Sequence, residues 1–159
     1  YPDVYNSGTS RETIETVLGI LKHLGKKPAL LKKEVPGFIG NRLQIALLRE
    51  ALALVENGTA TVEDVDTVIS NSFGRRWAAG GIFRTWDLAG WDVVCQVAEN
   101  LLPEIESSTD VSALLRDMVA RGDYGTKTGR GFYAHTPESA DKLKKRIEKV
   151  LVSVRRASE

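Results

Sequence analysis

Cysteine is almost missing from this sequence, and histidine is scarce. Cys95 is the single cysteine among 159 residues, which excludes an internal disulfide and fits a reducing compartment. Only two histidines are present, and His23, in the last turn of a predicted helix, has no catalytic partner near it in the sequence. We find no nucleophile beside a base, no paired acid and base, and no metal-binding motif.

Excess charge and long apolar runs are also absent. Lys and Arg number 22 against 21 Asp and Glu, so the formal net charge of +1 predicts no nucleic acid and no membrane as a partner. With no signal peptide and no run of membrane length, we expect an intracellular, cytoplasmic chain. The abrupt start, Tyr1-Pro2-Asp3-Val4-Tyr5, indicates a fragment.

What is present is ordinary globular composition organised around one apolar stretch. The chain is 42% apolar and 27% charged, enough for one core. Pro36 and Gly37 set a bend, and the residues from Phe38 to the Asn57-Gly58 stop favour a helix that is apolar almost all round. Arg42, Arg49 and Glu56 fall on its one polar stripe. This pattern predicts a buried central helix that other elements wrap.

Asn41 lies away from that stripe, on the side of Ile45, Leu48 and Leu52. A carboxamide in such a place needs a hydrogen-bond partner. Either Asn41 caps its own helix or a neighbouring loop, or its partner is a ligand.

Helical signals recur along the rest of the chain. Thr9 and Glu12 form a capping-box pattern for a first helix that Gly25 ends. The residues from Lys27 to Lys33 are too few for a helix and predict an extended connector or a single strand. Further helices are predicted after the Thr61–Asp64 cap, from Trp86 to before Pro103, over Val111–Ala120, and over the amphipathic tail from Thr136 to Arg156.

Two glycine-rich segments separate these helices. The segment Phe73–Phe83 holds arginines and large aromatics, so we predict a loop that is either a wall of a binding cleft or a packed corner between helices. Its candidate substrate-binding residues are Arg76, Trp77 and Phe83. The later run Gly129-x-Gly131-x-x-Ala134 fits a loose dinucleotide fingerprint, but it lacks the strand before it and the surrounding strand-helix-strand unit. We therefore reject it as a cofactor site.

The residues themselves thus predict an all-α domain wrapped around one helix. Beyond this, the stretch Val35-Pro36-Gly37-Phe38-Ile39-Gly40-Asn41-Arg42-Leu43, followed by Glu50-Ala51, Asn57-Gly58 and Thr61 to Asp66, resembles the C-terminal domain of the L-3-hydroxyacyl-CoA dehydrogenase family. The ending Tyr124-Gly125-Thr126-Lys127-Thr128-Gly129-Arg130-Gly131-Phe132-Tyr133 is similar to the close of that domain. The resemblance implies a helical fold of the 6-phosphogluconate dehydrogenase C-terminal-domain type, which follows a Rossmann domain and forms a homodimer.

The resemblance also implies an activity. In that family NAD and the catalytic His and Glu belong to the Rossmann domain, which is missing from this chain. The helical domain contributes the Asn of Gly-Phe-Ile-x-Asn-Arg, here Asn41, which hydrogen-bonds the substrate while a 3-hydroxyacyl-CoA is oxidised to the 3-keto product, as in the β-oxidation of fatty acids. We expect the fragment alone to be inactive.

The chain departs from the family pattern in one place that concerns the substrate. Gly81-Ile82-Phe83 stands where many members have Gly-Pro-Phe, and the surrounding residues also resemble carnitine dehydrogenase, which oxidises a free hydroxy acid. Nearby tryptophans suit a quaternary ammonium. A non-catalytic helical dimerisation module is the other alternative. Residues 1–134 are expected to form the substrate and dimerisation domain, and residues 135–159 a helical extension.

Overall fold

The computed structural model describes residues 8–157. The chain divides into two compact units, Tyr1–Leu48 and Arg49–Glu159, each of which is described by itself. The opening Tyr1 to Tyr5, interpreted above as the mark of a fragment, lies outside the described residues.

The predicted all-α class is confirmed. The elements are α1 (Arg11–His23), α2 (Phe38–Glu56), α3 (Val62–Asn71), α4 (Phe73–Ala89), α5 (Trp91–Leu101), α6 (Ala113–Ala120) and α7 (Pro137–Ala157). Between residues 8 and 157 the extended pairing amounts to isolated antiparallel bridges, Gly125 with Arg130 and Arg130 with Ala134.

In the first unit, the N-cap of α1 lies one residue later than predicted. Ser10, and not Thr9, is the N-cap, because the Ser10 Oγ accepts a hydrogen bond from the Thr13 backbone N–H at 3.1 Å. Gly25 ends the helix as predicted, with a φ of 68°. The residues from Lys27 to Lys33 form a connector that contains no β-strand, and Leu31 within it is buried.

The bounds of α2 match the prediction, but its burial does not. Gly37, with a φ of 80°, turns the chain into the helix, which ends at Glu56 before Gly58. Leu52 is the one buried side chain on α2, whereas Ile45 is 63% exposed. The helical pattern correctly marks an apolar surface, but a pattern in one sequence does not say which molecule covers that surface.

In the second unit, charged side chains of α2 hold the loop that precedes α6 and the first turn of α6 itself. The Glu106 and Leu114 backbone N–H groups each donate to a carboxylate of α2, on Glu50 and Glu56, both at 2.7 Å. Arg49 donates to the Ser108 carbonyl at 3.3 Å. A helix that is otherwise apolar thus fixes an irregular loop through charged hydrogen bonds, which are stronger than neutral ones.

The helix α4 is the hub of the second unit, since it contacts α3, α5 and α7. It also corrects two predictions. The segment Phe73–Phe83 is helical and not a loop, and the chain breaks at Gly81, where φ is 72° and ψ is 176°. The helix predicted from Trp86 to before Pro103 is divided at Gly90 into the end of α4 and the separate α5.

A close approach explains one of the glycines that suggested a loop. A Cβ at Gly74 would collide with the Ile69 carbonyl oxygen, so a larger residue would not fit the tight corner between α3 and α4. The predicted Thr61–Asp64 cap of α3 is confirmed, and the structure shows that it is a capping box in which Thr61 and Asp64 are bonded reciprocally. The tail is the predicted helix, and α6 is shorter than predicted by two residues.

We expect Gly131→Ala to lower the free energy of unfolding by about 2 kcal/mol. A Cβ at this position would lie 2.9 Å from the Gly125 Cα and 3.1 Å from its backbone nitrogen, where no flexible side chain can yield. Gly19→Ala is the control, because nothing lies within 4 Å of its Cβ and the site is helical, so a gain of roughly 0.5–1 kcal/mol is expected. Urea unfolding of both variants measures the difference, and equal stabilities would contradict the steric account.

Candidate functional site

Asn41 lies in the first turns of α2, in the first unit, with its side chain exposed. Its carboxamide makes no hydrogen bond to any residue from 8 to 157, unlike that of Gln44, which donates to the Gly40 carbonyl at 3.3 Å. The capping alternative is therefore wrong within the described chain. A carboxamide with two free donors and a free acceptor oxygen remains available to a ligand.

Arg76 and Trp77 lie on α4 in the second unit. The Arg76 guanidinium is exposed, and no ion pair or hydrogen bond joins it to another described residue. Its neighbour Arg75 is partly engaged, since its Nε donates to the Ser70 carbonyl at 2.8 Å and its Nη2 donates to the Asn71 side chain. Trp77 is half-buried and packs on Phe73 with ring centroids 4.6 Å apart. Of these two arginines, Arg76 is therefore the one whose whole guanidinium is free of described partners and can hold an anion.

Phe83 follows the break in α4 and is 73% exposed. Its ring lies 6.2 Å from that of Trp91, whose indole N–H donates to Asp87 Oδ1 at 2.5 Å. The Thr85 hydroxyl donates to the Gly81 carbonyl at 2.6 Å, which ties the second part of α4 to the residue at the break. The outcome is a fixed, exposed aromatic pair at the corner of α4 and α5.

The structure therefore places the four predicted site residues on two helices. Arg76, Trp77 and Phe83 share α4, on opposite sides of the break at Gly81. Asn41 belongs to the other unit.

A polar cluster that joins the glycine-rich ending to α3 was missed from sequence. The Tyr133 hydroxyl donates to Asp66 Oδ2 at 2.8 Å, across 67 residues of sequence. The Asp123 side chain is only 10% exposed. Its carboxylate accepts hydrogen bonds from Arg130 Nε at 2.6 Å and from Arg121 Nε at 3.1 Å. The hydrogen bond from Arg130, followed by that from Arg121, holds the pKa of the Asp123 carboxyl below its usual value. Both ends of the Tyr133–Asp66 contact lie in recognised motifs, but their spacing in sequence gives no sign that they pair.

We expect the stability of the chain to fall between pH 10 and about 12 because of Tyr133. Partial burial, then the hydrogen bond to Asp66, raises the pKa of Tyr133 from 10.0 to about 12. In that window the unfolded chain loses the proton while the folded chain keeps it, so rising pH favours unfolding. Below pH 10 both states hold the proton and the contribution is constant.

Tyr133→Phe should remove this part of the pH dependence, as measured by urea unfolding at pH 9 and pH 11. Tyr124→Phe is the matched control, because Tyr124 is exposed and its hydroxyl makes no such bond to a described residue. An unchanged pH dependence in Tyr133→Phe would show that folding does not raise the pKa of Tyr133.

The chemistry available to these residues is recognition and orientation. In the part of the chain that the structure describes, no group of His, Cys, Asp and Glu side chains could hold a metal ion. None of the helices between residues 8 and 157 combines the length and apolarity that crossing a bilayer requires. A free carboxamide, a free guanidinium and an exposed aromatic pair can bind a substrate oxygen, an anion and an apolar or cationic group, respectively.

Comparison with known proteins agrees with this picture. Residues 37–135 match the family described as 3-hydroxyacyl-CoA dehydrogenase, C-terminal domain. The chain is 35% identical over 151 residues to 5-formyl-3-hydroxy-2-methylpyridine 4-carboxylate 5-dehydrogenase of Mesorhizobium japonicum, covering 95% of this chain and 49% of that protein. It is 48% identical over 82 residues to L-carnitine dehydrogenase of Burkholderia mallei, covering 52% and 26%.

A solved structure extends the likeness to the fold. The crystal structure of a 5-formyl-3-hydroxy-2-methylpyridine 4-carboxylic acid 5-dehydrogenase, described as an NAD⁺-dependent dismutase, superposes with a TM-score of 0.91 at 34% identity over 97% of this chain. The chain spans about half the length of that protein. Because the family match covers more than half of the chain, the chain belongs to the 3-hydroxyacyl-CoA dehydrogenase C-terminal domain family.

Proposed function

We propose that the full-length protein is an NAD-dependent 3-hydroxyacyl-CoA dehydrogenase that oxidises the 3-hydroxyl to a 3-keto group, a reaction of β-oxidation. This chain is its substrate-binding and dimerisation half. The observation on which the proposal rests is the unpartnered Asn41 carboxamide, in the Gly-Phe-Ile-x-Asn-Arg position of a domain that belongs to this family.

Asn41 acts as a hydrogen-bonding group at the reacting oxygen. Its side-chain N–H donates to the substrate oxygen from a position in the first turn of α2. A carboxamide neither gains nor loses a proton near neutral pH, so Asn41 orients the substrate and does not serve as a general acid or base.

The described residues of this chain do not fit NAD. The one glycine fingerprint, at Gly129 and Gly131, lies in a turn with isolated bridges and no helix at its phosphate-binding end. The space beside Gly131 is taken by Gly125, so a pyrophosphate cannot approach that backbone closely. We assign NAD to a preceding Rossmann domain, and expect no NAD binding by the 159 residues alone in a calorimetric titration.

Arg76, Trp77 and Phe83 are assigned to substrate binding. The free Arg76 guanidinium pairs with a carboxylate or phosphate of the substrate, while Trp77 and Phe83 supply apolar walls. In the full-length enzyme we expect Arg76→Ala to raise KM about tenfold with kcat nearly unchanged, as for a contact that is equally strong before and during reaction. Arg146→Ala, on the exposed face of α7, is the control. A large fall in kcat with an unchanged KM would contradict the assignment.

A free hydroxy or aldehyde acid is the second candidate substrate. It is favoured because the match to the pyridine-carboxylate relative runs over 95% of the chain, including α7, and because the carnitine relative is 48% identical across its matched region. A panel on the full-length protein decides: 3-hydroxyacyl-CoA thioesters of several chain lengths, L-carnitine and the pyridine carboxylate, with NADH formation followed at 340 nm. Turnover of a free acid, with none of the thioesters, would overturn the acyl-CoA proposal.

We assign the exposed apolar face of α2 to a homodimer, and the full-length protein to the cytoplasm. Residues 1–134 are proposed as the substrate and dimerisation domain and residues 135–159 as an extension. A non-catalytic dimerisation module would lack the Rossmann domain altogether. The coding region upstream distinguishes the two, because a nicotinamide domain requires a strand followed by Gly-x-Gly-x-x-Gly.

A further inference from the structure

The helix α7 carries an apolar stripe that the described residues leave largely uncovered. Its members recur at spacings of three and four residues, and they are Ala140, Leu143, Ile147, Val150 and Val154. The two end members, Ala140 and Val154, are half-buried. In the middle, Leu143, Ile147 and Val150 are 47%, 50% and 53% exposed. The contact between α7 and α4 therefore leaves the middle of the stripe open.

The charge of α7 is also one-sided. Between Pro137 and Ala157 there are seven Lys and Arg residues and three Asp and Glu residues. At about 100° per residue, Lys144 lies at one edge of the stripe and Arg146 at the other. Neither side chain forms an ion pair with a described residue, whereas Asp141 is paired with Lys145 at 2.7 Å. The open stripe is thus bordered by positive charge on both sides.

The family assignment leaves α7 without a role. The family match ends at residue 135, and α7 begins after it, at Pro137. None of the candidate site residues lies on this helix. The open stripe and its basic borders therefore belong neither to the matched domain nor to the candidate site.

A second copy of α7 is a poor cover for this stripe. The spacing of three and four residues is that of a coiled-coil seam, in which the flanking residues of two helices face each other. Here the charged flanking residues are Lys144 and Arg146, and no acidic residue flanks the stripe to pair with them. Two copies would also bring two positive helices together, which like-charge repulsion opposes. The charge of α7 therefore favours a negative surface as the cover.

An anionic bilayer fits the remaining charges of α7 better than an acidic protein helix does. A helix that packs on the stripe reaches Lys144 and Arg146. It does not reach the basic residues on the far side of α7, which are Lys142, Lys149 and Arg156. A bilayer attracts all five, because its surface potential extends about 10 Å, which is roughly the diameter of a helix. An apolar stripe with basic borders is the pattern of a helix that lies flat in a membrane interface.

We propose that α7 is a peripheral membrane anchor that lies flat on a bilayer rich in anionic phospholipid. Leu143, Ile147 and Val150 enter the boundary between the headgroups and the acyl chains, and Lys144 and Arg146 reach the lipid phosphates. With 21 residues the helix is about 30 Å long, but it lacks the apolarity to cross the bilayer.

This inference differs from the expectation of no membrane partner, which rests on the net charge of the whole chain. The residues outside α7 carry slightly more Asp and Glu than Lys and Arg, so they cancel most of the positive charge of α7 in the total. The inference also goes beyond the proposed function, since it requires no particular substrate or cofactor.

Cosedimentation of the full-length protein with lipid vesicles tests the anchor. At about 1 mM lipid, we expect vesicles of equal parts phosphatidylglycerol and phosphatidylcholine to bind at least about tenfold more protein than vesicles of phosphatidylcholine alone. Raising the salt concentration to about 1 M, where the Debye length is about 3 Å, should weaken binding to the anionic vesicles. Equal or negligible binding to the two kinds of vesicle would overturn the inference.

Two variants test whether α7 provides the binding. Ile147→Asp places a carboxylate in the immersed stripe, and Lys144→Glu combined with Arg146→Glu reverses the charge of its borders. Each should lower binding to the anionic vesicles at least about tenfold. Lys26→Glu combined with Lys27→Glu is the matched control, because it changes the net charge equally at exposed residues after α1 and should bind as the wild type does. Binding that survives in both α7 variants, or an equal loss in the control, would overturn the inference.

Circular dichroism and sedimentation complete the test. The variants should keep the helix content of the wild type, because the substituted side chains are exposed. If Ile147→Asp loses helix, the charge-reversal variant decides. A smaller oligomer for Ile147→Asp, together with no vesicle binding by the wild type, would show that a second copy covers the stripe and would overturn the inference.

Discussion

Asn41→Ala is expected to lower kcat of the full-length enzyme by roughly 10²–10³, the range for removing one preorganised donor from a developing charge. The carboxamide is exposed and has no hydrogen-bond partner within residues 8–157, so the substitution removes no contact that holds this chain together. The free energy of unfolding should therefore change by less than about 0.5 kcal/mol. Steady-state kinetics and urea unfolding on the same preparation measure both effects.

Asn41→Asp sharpens the test because it conserves size and changes the chemistry. It replaces a donor by a negative acceptor beside an oxygen that gains charge, so kcat should fall at least as far as in Asn41→Ala. Gln44→Ala is the matched control on the same helix, since its carboxamide is bonded only to its own turn, at the Gly40 carbonyl. Wild-type kcat in folded Asn41→Ala would remove the catalytic assignment and leave only the fold.

Ile45→Asp should dissociate the homodimer that we propose for the exposed apolar face of α2. Ile45 is 63% exposed in the single chain, and it shares the uncovered side of α2 with Leu48. An unpaired carboxylate placed in an apolar contact costs about 3–5 kcal/mol, which raises the dimer dissociation constant by on the order of 10³. Sedimentation equilibrium at micromolar concentration should show a dimer for the wild-type chain and a monomer for the variant.

Lys22→Asp provides the control for charge alone, because Lys22 is exposed near the end of α1 and belongs to no apolar face. This variant should remain dimeric. Circular dichroism of each protein checks that its helices are retained. A wild-type chain that sediments only as a monomer would refute the assignment of the α2 face to a second copy.

The sequence predicts the helices well where the signals are local. Each of these signals depends on residues close together in the chain. They are the cap formed by Thr61 and Asp64, the helix stops at Gly25 and Gly58, and the apolar periodicity of α7. The shift of the α1 cap from Thr9 to Ser10 has the same origin, because two adjacent hydroxyl residues offer nearly equal caps.

The sequence does not predict the structure correctly where contacts between distant residues determine the conformation. Glycines normally oppose helix formation, yet α4 keeps Gly74 because the Ile69 carbonyl lies too close for a side chain, and it contacts three other helices. The exposure of Ile45 could not be predicted either. An apolar pattern indicates that a helix face will be buried, but it does not indicate which element or molecule buries it. Asn41 is a candidate site residue through the resemblance of its motif alone. The Tyr133–Asp66 contact joins residues 67 positions apart, and no local pattern predicts it.

The hydrogen bonds accepted by the two glutamates of α2 also set the order in which the second unit can fold. Glu50 and Glu56 reach residues 56 and 58 positions further along the chain, so neither bond forms until the whole of α3, α4 and α5 has been brought back. Closing a loop of that length costs chain entropy before any contact offsets it, whereas α3, α4 and α5 are sequential neighbours. The α3-α4-α5 corner is therefore the part of the second unit that a growing chain completes first, and the loop before α6 is fixed last.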